Sequence, residues 1–171
     1  MIIKTLDNRY IKRIGEIDRS EHVTRRYVYQ DGKLEAKEGN WQVSRWADDS
    51  LLARIKEWSS LLDQGSVLLG ALDAEVLAGF AIFRPRLTET MGQLAVLHVS
   101  KDYRRQGVAK ALTTEVCKMA IESGATSLYV SATSTGSALG FYQSQGFQVA
   151  EKAHAELYAL EPDDIHMIKT L

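Results

Sequence analysis

Apolar positions along the chain change period several times, and each change marks an element. Met1 to Asp7 is a short apolar run closing in Asp7-Asn8, a strand followed by a helix cap. Tyr10, Ile11, Ile14 and Ile17 recur at helical spacing and predict a short amphipathic helix. Asp18 to Asp49 carries no clean period. Within it Arg25-Arg26-Tyr27-Val28-Tyr29 has strand character and Asp31-Gly32 is a hairpin turn signal. Lys33 to Trp41 is the expected partner strand, with Glu38-Gly39-Asn40 as a second turn. Asp48-Asp49-Ser50 is the expected cap of a helix whose stripe is Leu51, Leu52, Ile55, Trp58, Leu61 and Leu62.

The second half is more regular. Val67 to Leu72 and Val76 to Phe83 flank Asp73-Ala74-Glu75 as a hairpin, and Pro85, lacking a backbone donor, ends the second strand. Met91 to Val99 is a further strand, Lys101 to Gln106 a charged loop, and Gly107 opens a helix. That helix turns Val108, Ala111, Leu112, Val116, Met119 and Ala120 inward and stops at Ser123-Gly124. Ser127 to Val130 is a strand and Ser131 to Gly136 a polar connection. Ser137 to Gln145 is a helix stopped by Gly146, and Phe147 to Glu151 and Ile165 to Lys169 are the last strands. Such an order predicts an α+β fold in a single domain over residues 1–171, with residues 19–49 an insertion-like segment.

Composition narrows the class. A chain of 171 residues with 45% hydrophobic and 25% charged residues is an ordinary globular domain that needs no staple. The net charge of -1 and pI near 6.4 give no basic excess, so a nucleic-acid partner is not expected. Cys117 is the only cysteine, which excludes an internal disulfide and a cysteine-rich zinc site; no metal is expected. No apolar run approaches the ~20 residues that span a bilayer. The opening residues meet charge too soon for a secretory signal, so no membrane partner and a cytoplasmic location are expected.

Chemistry concentrates in Leu97-His98-Val99-Ser100-Lys101-Asp102-Tyr103-Arg104-Arg105-Gln106-Gly107-Val108-Ala109. A strand runs into a loop, and a helix starts at the loop's glycine. That places free N–H groups at a helix N-terminus, where the dipole also favours an anion. Gly107 lets a phosphate approach the main chain, and Ala109 keeps the first turn uncrowded. The spacing matches neither a three-glycine dinucleotide loop nor a P-loop, which argues against a nucleotide-binding protein.

Arg104 to Ala109, R-x-x-G-x-A, resembles the acetyl-CoA loop [QR]-x-x-G-x-[GA] of the GNAT superfamily of N-acetyltransferases. Some thirty residues on, Ala138-Leu139-Gly140-Phe141-Tyr142-Gln143-Ser144-Gln145-Gly146-Phe147 resembles the same superfamily's A-x-x-F-Y-x-x-x-G-F signature. The likeness runs from Val67 to Leu171 and is weak upstream. It implies a central mixed, mostly antiparallel, splayed sheet of about seven strands flanked by about four helices, with acetyl-CoA as acyl donor. By this analogy the main chain of Leu97 and Val99 lies along the pantetheine arm. The diphosphate rests on amides of Arg105, Gln106, Gly107, Val108 and Ala109, with Arg104 and Lys110 adding charge. Thr135, where many relatives have asparagine, and Ala138, Phe141 and Tyr142 complete the cofactor side.

The implied reaction is direct attack of an amine on the acetyl carbonyl. The resemblance makes Tyr142 the acid that protonates the leaving sulfur and the Val99 amide the oxyanion donor. Where some relatives carry a glutamate this chain has Gln93, so the base is open: His98 is a candidate, His166 a weaker one, and a water chain ending on an unspecified carboxylate is preferred to both. Tyr27, Tyr29, Trp41 and Trp46, set among carboxylates, form either an aromatic cage for a cationic amine or a small satellite core. A small-molecule amine is the favoured acceptor. A protein N-terminus or lysine and a non-catalytic acyl-CoA-binding module are the alternatives. A homodimer is left open: oligomeric state does not follow from the sequence, although dimers are common among the proteins this one resembles.

Overall fold

A computed structural model describes residues 1–171. Strands close in sequence pair antiparallel here because their connections are too short to cross over. β4 (Val67–Asp73) turns directly into β5 (Val76–Arg84), with Ala74 at φ 50°, and β6 (Met91–Val99) returns beside β5. β1 (Ile2–Thr5) adds antiparallel to β4. After β6 the chain forms a helix, α2 (Val108–Glu122), and comes back as β7 (Ser127–Ala132), so β6 and β7 are parallel. β8 (Gln148–Val149) and β9 (Ile165–Thr170) complete a seven-stranded sheet in the order β1-β4-β5-β6-β7-β9-β8. It is mixed and mostly antiparallel, as the resemblance implies.

Helices cover both faces. α2 and α3 (Gly136–Ser144) lie on one, over a core that includes Leu69, Phe83, Leu112, Val116, Leu128 and Phe147. α1 (Asp48–Asp63) lies on the other with the 3-10 segment Asn8–Glu16, over Ile14, Trp58, Leu62, Leu68, Phe80 and Val96. α4 (Ala155–Leu160) shares the α1 side, with Leu157 on Leu87 and Tyr129. No helix is long and apolar enough to cross a membrane.

Several expected details differ. The Tyr10–Ile17 pattern is carried by the tighter 3-10 form, which still buries Ile11 and Ile14. β2 (Glu21–Gln30) and β3 (Lys33–Val43) form a separate hairpin whose turn residues Asp31 and Gly32 have φ of 50° and 76°, the left-handed pair that such a turn requires. Glu38-Gly39-Asn40 is not a second turn. It is absorbed by a register shift, Val23 opposing Trp41 and Arg25 opposing Glu38, so the strand bulges and continues. Asp48 and Asp49 sit in the first turn of α1 and favour its dipole; the cap position is Ala47, whose carbonyl accepts from Ser50 Oγ at 2.8 Å. Leu52 leaves the predicted stripe and is 66% exposed. The Phe147–Glu151 strand shrinks to β8.

Candidate active site

β6 and β7 pair only at Met91 with Ser127, Gly92 with Leu128 and Gln93 with Tyr129. Beyond Gln93 they diverge. The cause is local: β6 bulges at Ala95, between Leu94 opposite Phe83 and Val96 opposite Ile82, and this bends it away from β7. β7 stays straight because β9 pairs with it from Ser127 to Ala132. A V-shaped gap opens between the strands, and a cleft of about 600 Å³ occupies it, a volume suited to a sizeable small molecule.

One wall of the gap is unpaired main chain. Ser100 donates to Ala78 O at 2.9 Å, and Val99 faces Gly79 in the register. Antiparallel pairs alternate, so Val99 and Leu97 turn their N–H and C=O away from β5 and into the gap. Val99 O accepts from Arg104 Nε at 3.2 Å, as that direction demands.

The loop after β6 is held open. Tyr103 OH donates to Asp73 Oδ2 at 3.1 Å, and Gln106 Nε2 donates to Asp102 O at 2.7 Å, pinning the loop to the β4–β5 turn and to itself. Arg105 and Gly107 both adopt left-handed backbone, φ 62° and 82°. Alternating handedness turns successive amides the same way, forming a concave anion nest. Every amide from Arg105 to Lys110 lacks an acceptor within the protein. A Cβ at Gly107 would meet nothing within 4 Å, so the loop opens onto free space. Lys101, Arg105 and Lys110 border it without ion-pair partners. The loop thus presents a row of free amides beside unpaired cations, an arrangement that favours an anion.

Arg104 is differently employed. Its guanidinium donates to Val99 O, to Ser20 O at 3.0 Å and to Asp18 O at 3.4 Å. It borders the cleft, but its donors are taken by main-chain carbonyls of β6 and of the chain entering β2. That entering chain is a strap. Lys101 N donates to Asp18 O at 2.8 Å at the end of β6, and Tyr27 N donates to Ser134 O at 2.8 Å past the end of β7. Residues between Asp18 and Tyr27 therefore cross the open end of the V, and Arg19, Glu21 and, from β3, Val43 line the cleft beneath. Glu21 accepts from Ser137 Oγ at 2.6 Å. Thr135 caps α3, its Oγ1 accepting from Ala138 N at 3.2 Å.

Tyr142 reaches the gap from α3. Its ring packs edge-on against Phe141 and Phe147 at 5.2 and 5.4 Å and is 7% exposed. The hydroxyl has no hydrogen-bond partner in the protein, and the residue lines the cleft. Burial, and then the charge of Asp164, push the phenol above its ordinary value, so it carries its proton at neutral pH. Phe141, Ala138, Leu97, Val99 and the residues Arg105, Gly107, Val108, Ala109 and Lys110 line the same cleft. Gln106 is not among the lining residues; its side-chain amide is bonded to Asp102 O.

His98 points to the α1 face. Trp46, Trp58 and Phe80 surround it at ring distances of 5.4, 5.8 and 5.6 Å. Burial, and then the cations Arg19, Arg104 and Arg54, lower its pKa to about 4, so it is neutral at pH 7 and a weak proton acceptor. His166 is fully engaged: Tyr129 OH pairs with Nδ1 at 2.8 Å and Nε2 pairs with Glu161 O at 3.0 Å. Gln93 is buried at the vertex of the V.

The four aromatic residues of the segment do not converge. Trp46 joins Trp58 and His98, with Arg19 already 4.2 Å over its ring; Trp41 is covered by Arg26 at 4.6 Å. Tyr29 stands exposed near the hairpin tip, and Tyr27 borders a shallower polar cleft shared with Glu38 and Ser137. The cage reading gives way to a satellite packing, because the chain's own arginines occupy the ring faces.

Among solved structures, nourseothricin acetyltransferase superposes with a TM-score of 0.75 at 20% identity, covering 99% of this chain and 97% of that one. A Bacillus anthracis protein described as a streptothricin acetyltransferase, solved with acetyl coenzyme A, gives 0.73 at 17% identity, covering 99% and 98%. The ribosomal-protein-S18-alanine N-acetyltransferase of Escherichia coli gives 0.65 at 18% identity, covering 99% and 92%. At these identities the likeness establishes the fold. No curated protein matches this sequence. The family model for the acetyltransferase (GNAT) family matches residues 28–147. The chain belongs to the acetyltransferase (GNAT) family and is an acetyltransferase that uses acetyl-CoA.

Proposed function

We propose that this enzyme acetylates a small cationic amine, with the acetyl donor held in the gap between β6 and β7 and Tyr142 as the acid. The observation that carries the reading is the strap. Main-chain bonds tie Asp18 to the end of β6 and Tyr27 to the loop after β7, which bounds the gap at its open end. A bounded entrance suits a compact amine better than an extended peptide. The fold's likeness to two proteins described as acetyltransferases of streptothricin-type antibiotics, along nearly the whole chain, supports the same class.

The residues fit the donor. Free amides from Arg105 to Lys110 suit the diphosphate, and the open edge of Leu97 and Val99 suits the amide-bearing arm. The bound donor supplies an activated acetyl group. Around it the chain does three things. Val99 N–H, fixed by the β5 register, is the oxyanion donor, and a preorganised donor of this kind contributes about 3 kcal/mol of transition-state stabilisation. Tyr142, protonated and without a competing partner, gives its proton to the departing sulfur. The strap and the Phe141 and Tyr142 rings limit water in the gap.

Thiol release from acetyl-CoA tests the reading on three acceptors: a streptothricin mixture, spermidine and a peptide beginning with alanine. A small polyamine or antibiotic acceptor with kcat/KM at least tenfold above the peptide is the expected result. Preference for the peptide overturns the substrate assignment and moves the protein to N-terminal acetylation.

A further inference from the structure

The mechanism above leaves the proton on the incoming ammonium without a destination, and the groups lining the cleft do not supply one. Glu21 is bonded to Ser137 on the strap side. His98 sits among indole rings and arginines, and both nitrogens of His166 are in use. Position 93 is an amide. The carboxylates of Glu161, Asp163 and Asp164 in the turn before β9 are uncommitted, and Asp164 adjoins the strand paired with β7. Asp164 ends the turn before β9, half-buried, and its carboxylate makes no hydrogen bond or ion pair; only its main-chain N–H is used, donating to Glu161 O at 3.2 Å.

Its placement follows from the register. Ile165 pairs with Ala132, the last residue of β7, and the next residue of that chain, Thr133, lines the cleft. Ile165 turns into the core that contains Tyr142. Asp164 is the bend residue just before β9, two positions ahead of His166, which packs with Tyr129 and Tyr158 on the α4 side. The charged groups that act on it agree: Glu161 at the end of α4, neighbouring Asp163, and Arg54 of α1. The charge of Asp164 acts on the Tyr142 phenol, whose hydroxyl has no hydrogen-bond partner in the protein.

We propose that Asp164 is the proton acceptor for the incoming amine, working through one bridging water because it does not itself line the cleft. This assignment rests on the reading of the gap given above. The ammonium passes one proton through water to the Asp164 carboxylate. The freed lone pair forms the C–N bond, the C–S bond breaks, and the thiolate takes the Tyr142 proton. The second proton on nitrogen returns to the phenolate through water, and Asp164 releases its proton to solvent. Ammonium and thioester become amide, thiol and one proton. Burial, with Glu161 and Asp163 adding and Arg54 opposing, raises the Asp164 pKa to about 6, which suits an acceptor at neutral pH.

The test compares wild type, Asp164→Asn and Asp164→Glu from pH 5.5 to 9, using the panel amine with the highest turnover. Asp164→Asn is expected to lower kcat/KM about 100-fold at pH 7 and to remove the inflection near pH 6. Acetyl-CoA affinity should stay within twofold, and Asp164→Glu should restore at least a tenth of the rate. An unchanged rate or an unchanged pH profile in Asp164→Asn overturns the proposal. Carbon-13 resonances of the Asp164 carboxyl and the Tyr142 ring, assigned from Asp164→Asn and Tyr142→Phe, need no acceptor. A carboxyl titrating near pH 6 with a responding Tyr142 signal supports the placement, and one titrating near 4 with no response overturns it. Failure of every panel amine would sink the substrate class while this second measurement still decides the position of Asp164.

Discussion

Gly107→Glu separates the phosphate assignment from any effect on folding. Gly107 has φ 82°, and an added Cβ would meet no atom within 4 Å. The steric cost inside the protein is therefore nil, and the backbone cost of a side chain in the left-handed region is about 1–2 kcal/mol. In a domain of this size that lowers Tm by roughly 2–8 °C. Gly107→Ala carries the same strain without the charge. The glutamate carboxylate would stand about 5 Å from the diphosphate, where each charge pair repels by about 3 kcal/mol at an effective dielectric of 20. Solvent screening of this open loop roughly halves the total for a dianion, leaving about 3 kcal/mol, or roughly 100-fold in Kd. Calorimetric titration with coenzyme A should show Gly107→Ala within tenfold of wild type and Gly107→Glu weaker by about 100-fold, with equal Tm for the two variants. Binding by Gly107→Glu within threefold of wild type would refute the reasoning.

Three further outcomes are expected. Tyr142→Phe should lower kcat about 100-fold with coenzyme A affinity within a few-fold and Tm not reduced, because the hydroxyl has no protein partner to lose; steady-state kinetics and thermal melts check it, and full turnover with a proven acceptor removes the acid role. Arg105→Gly should raise Tm by roughly 2–4 °C, since φ 62° costs arginine about 1 kcal/mol that glycine does not bear; an unchanged or lowered Tm contradicts the strain argument. His98, with its folded pKa lowered to about 4, stays neutral while an unfolded histidine protonates near 6.5, so its contribution to stability is whole above pH 6.5 and lost as the pH falls toward 4. From pH 7 to pH 5 urea unfolding should therefore show wild type losing about 2 kcal/mol more than His98→Phe, and equal losses would contradict that burial.

How far the sequence foretells this molecule depends on which interactions set each part. β6 is predicted at its observed bounds, and the helix start at Gly107 likewise, because alternation and a lone glycine are local signals. The hairpin turn at Asp31-Gly32 is local in the same way. Other parts depend on distant groups. The strap is made by main-chain bonds between Asp18 and Lys101 and between Tyr27 and Ser134, which leave no trace in side-chain pattern. Arg104 matches the phosphate-loop signature, yet carbonyls from the strap claim its guanidinium. Trp41 and Trp46 suggest a cation site, but the cations covering them, Arg26 and Arg19, come from this chain. α4 escapes notice because Ala155–Leu160 is six residues long with a single buried position, too short for a period to show. Asp164 is one of several acids in Glu161-Pro162-Asp163-Asp164, and only the register with β7 distinguishes it.

The crystal structure of the complex with acetyl-CoA examines the central claim most directly. The account predicts diphosphate oxygens within about 3 Å of the amides of Gly107, Val108 and Ala109. It also predicts the arm alongside Leu97 and Val99, and sulfur within reach of the Tyr142 hydroxyl. Diphosphate bound away from that loop, or a thioester outside the gap between β6 and β7, would contradict it.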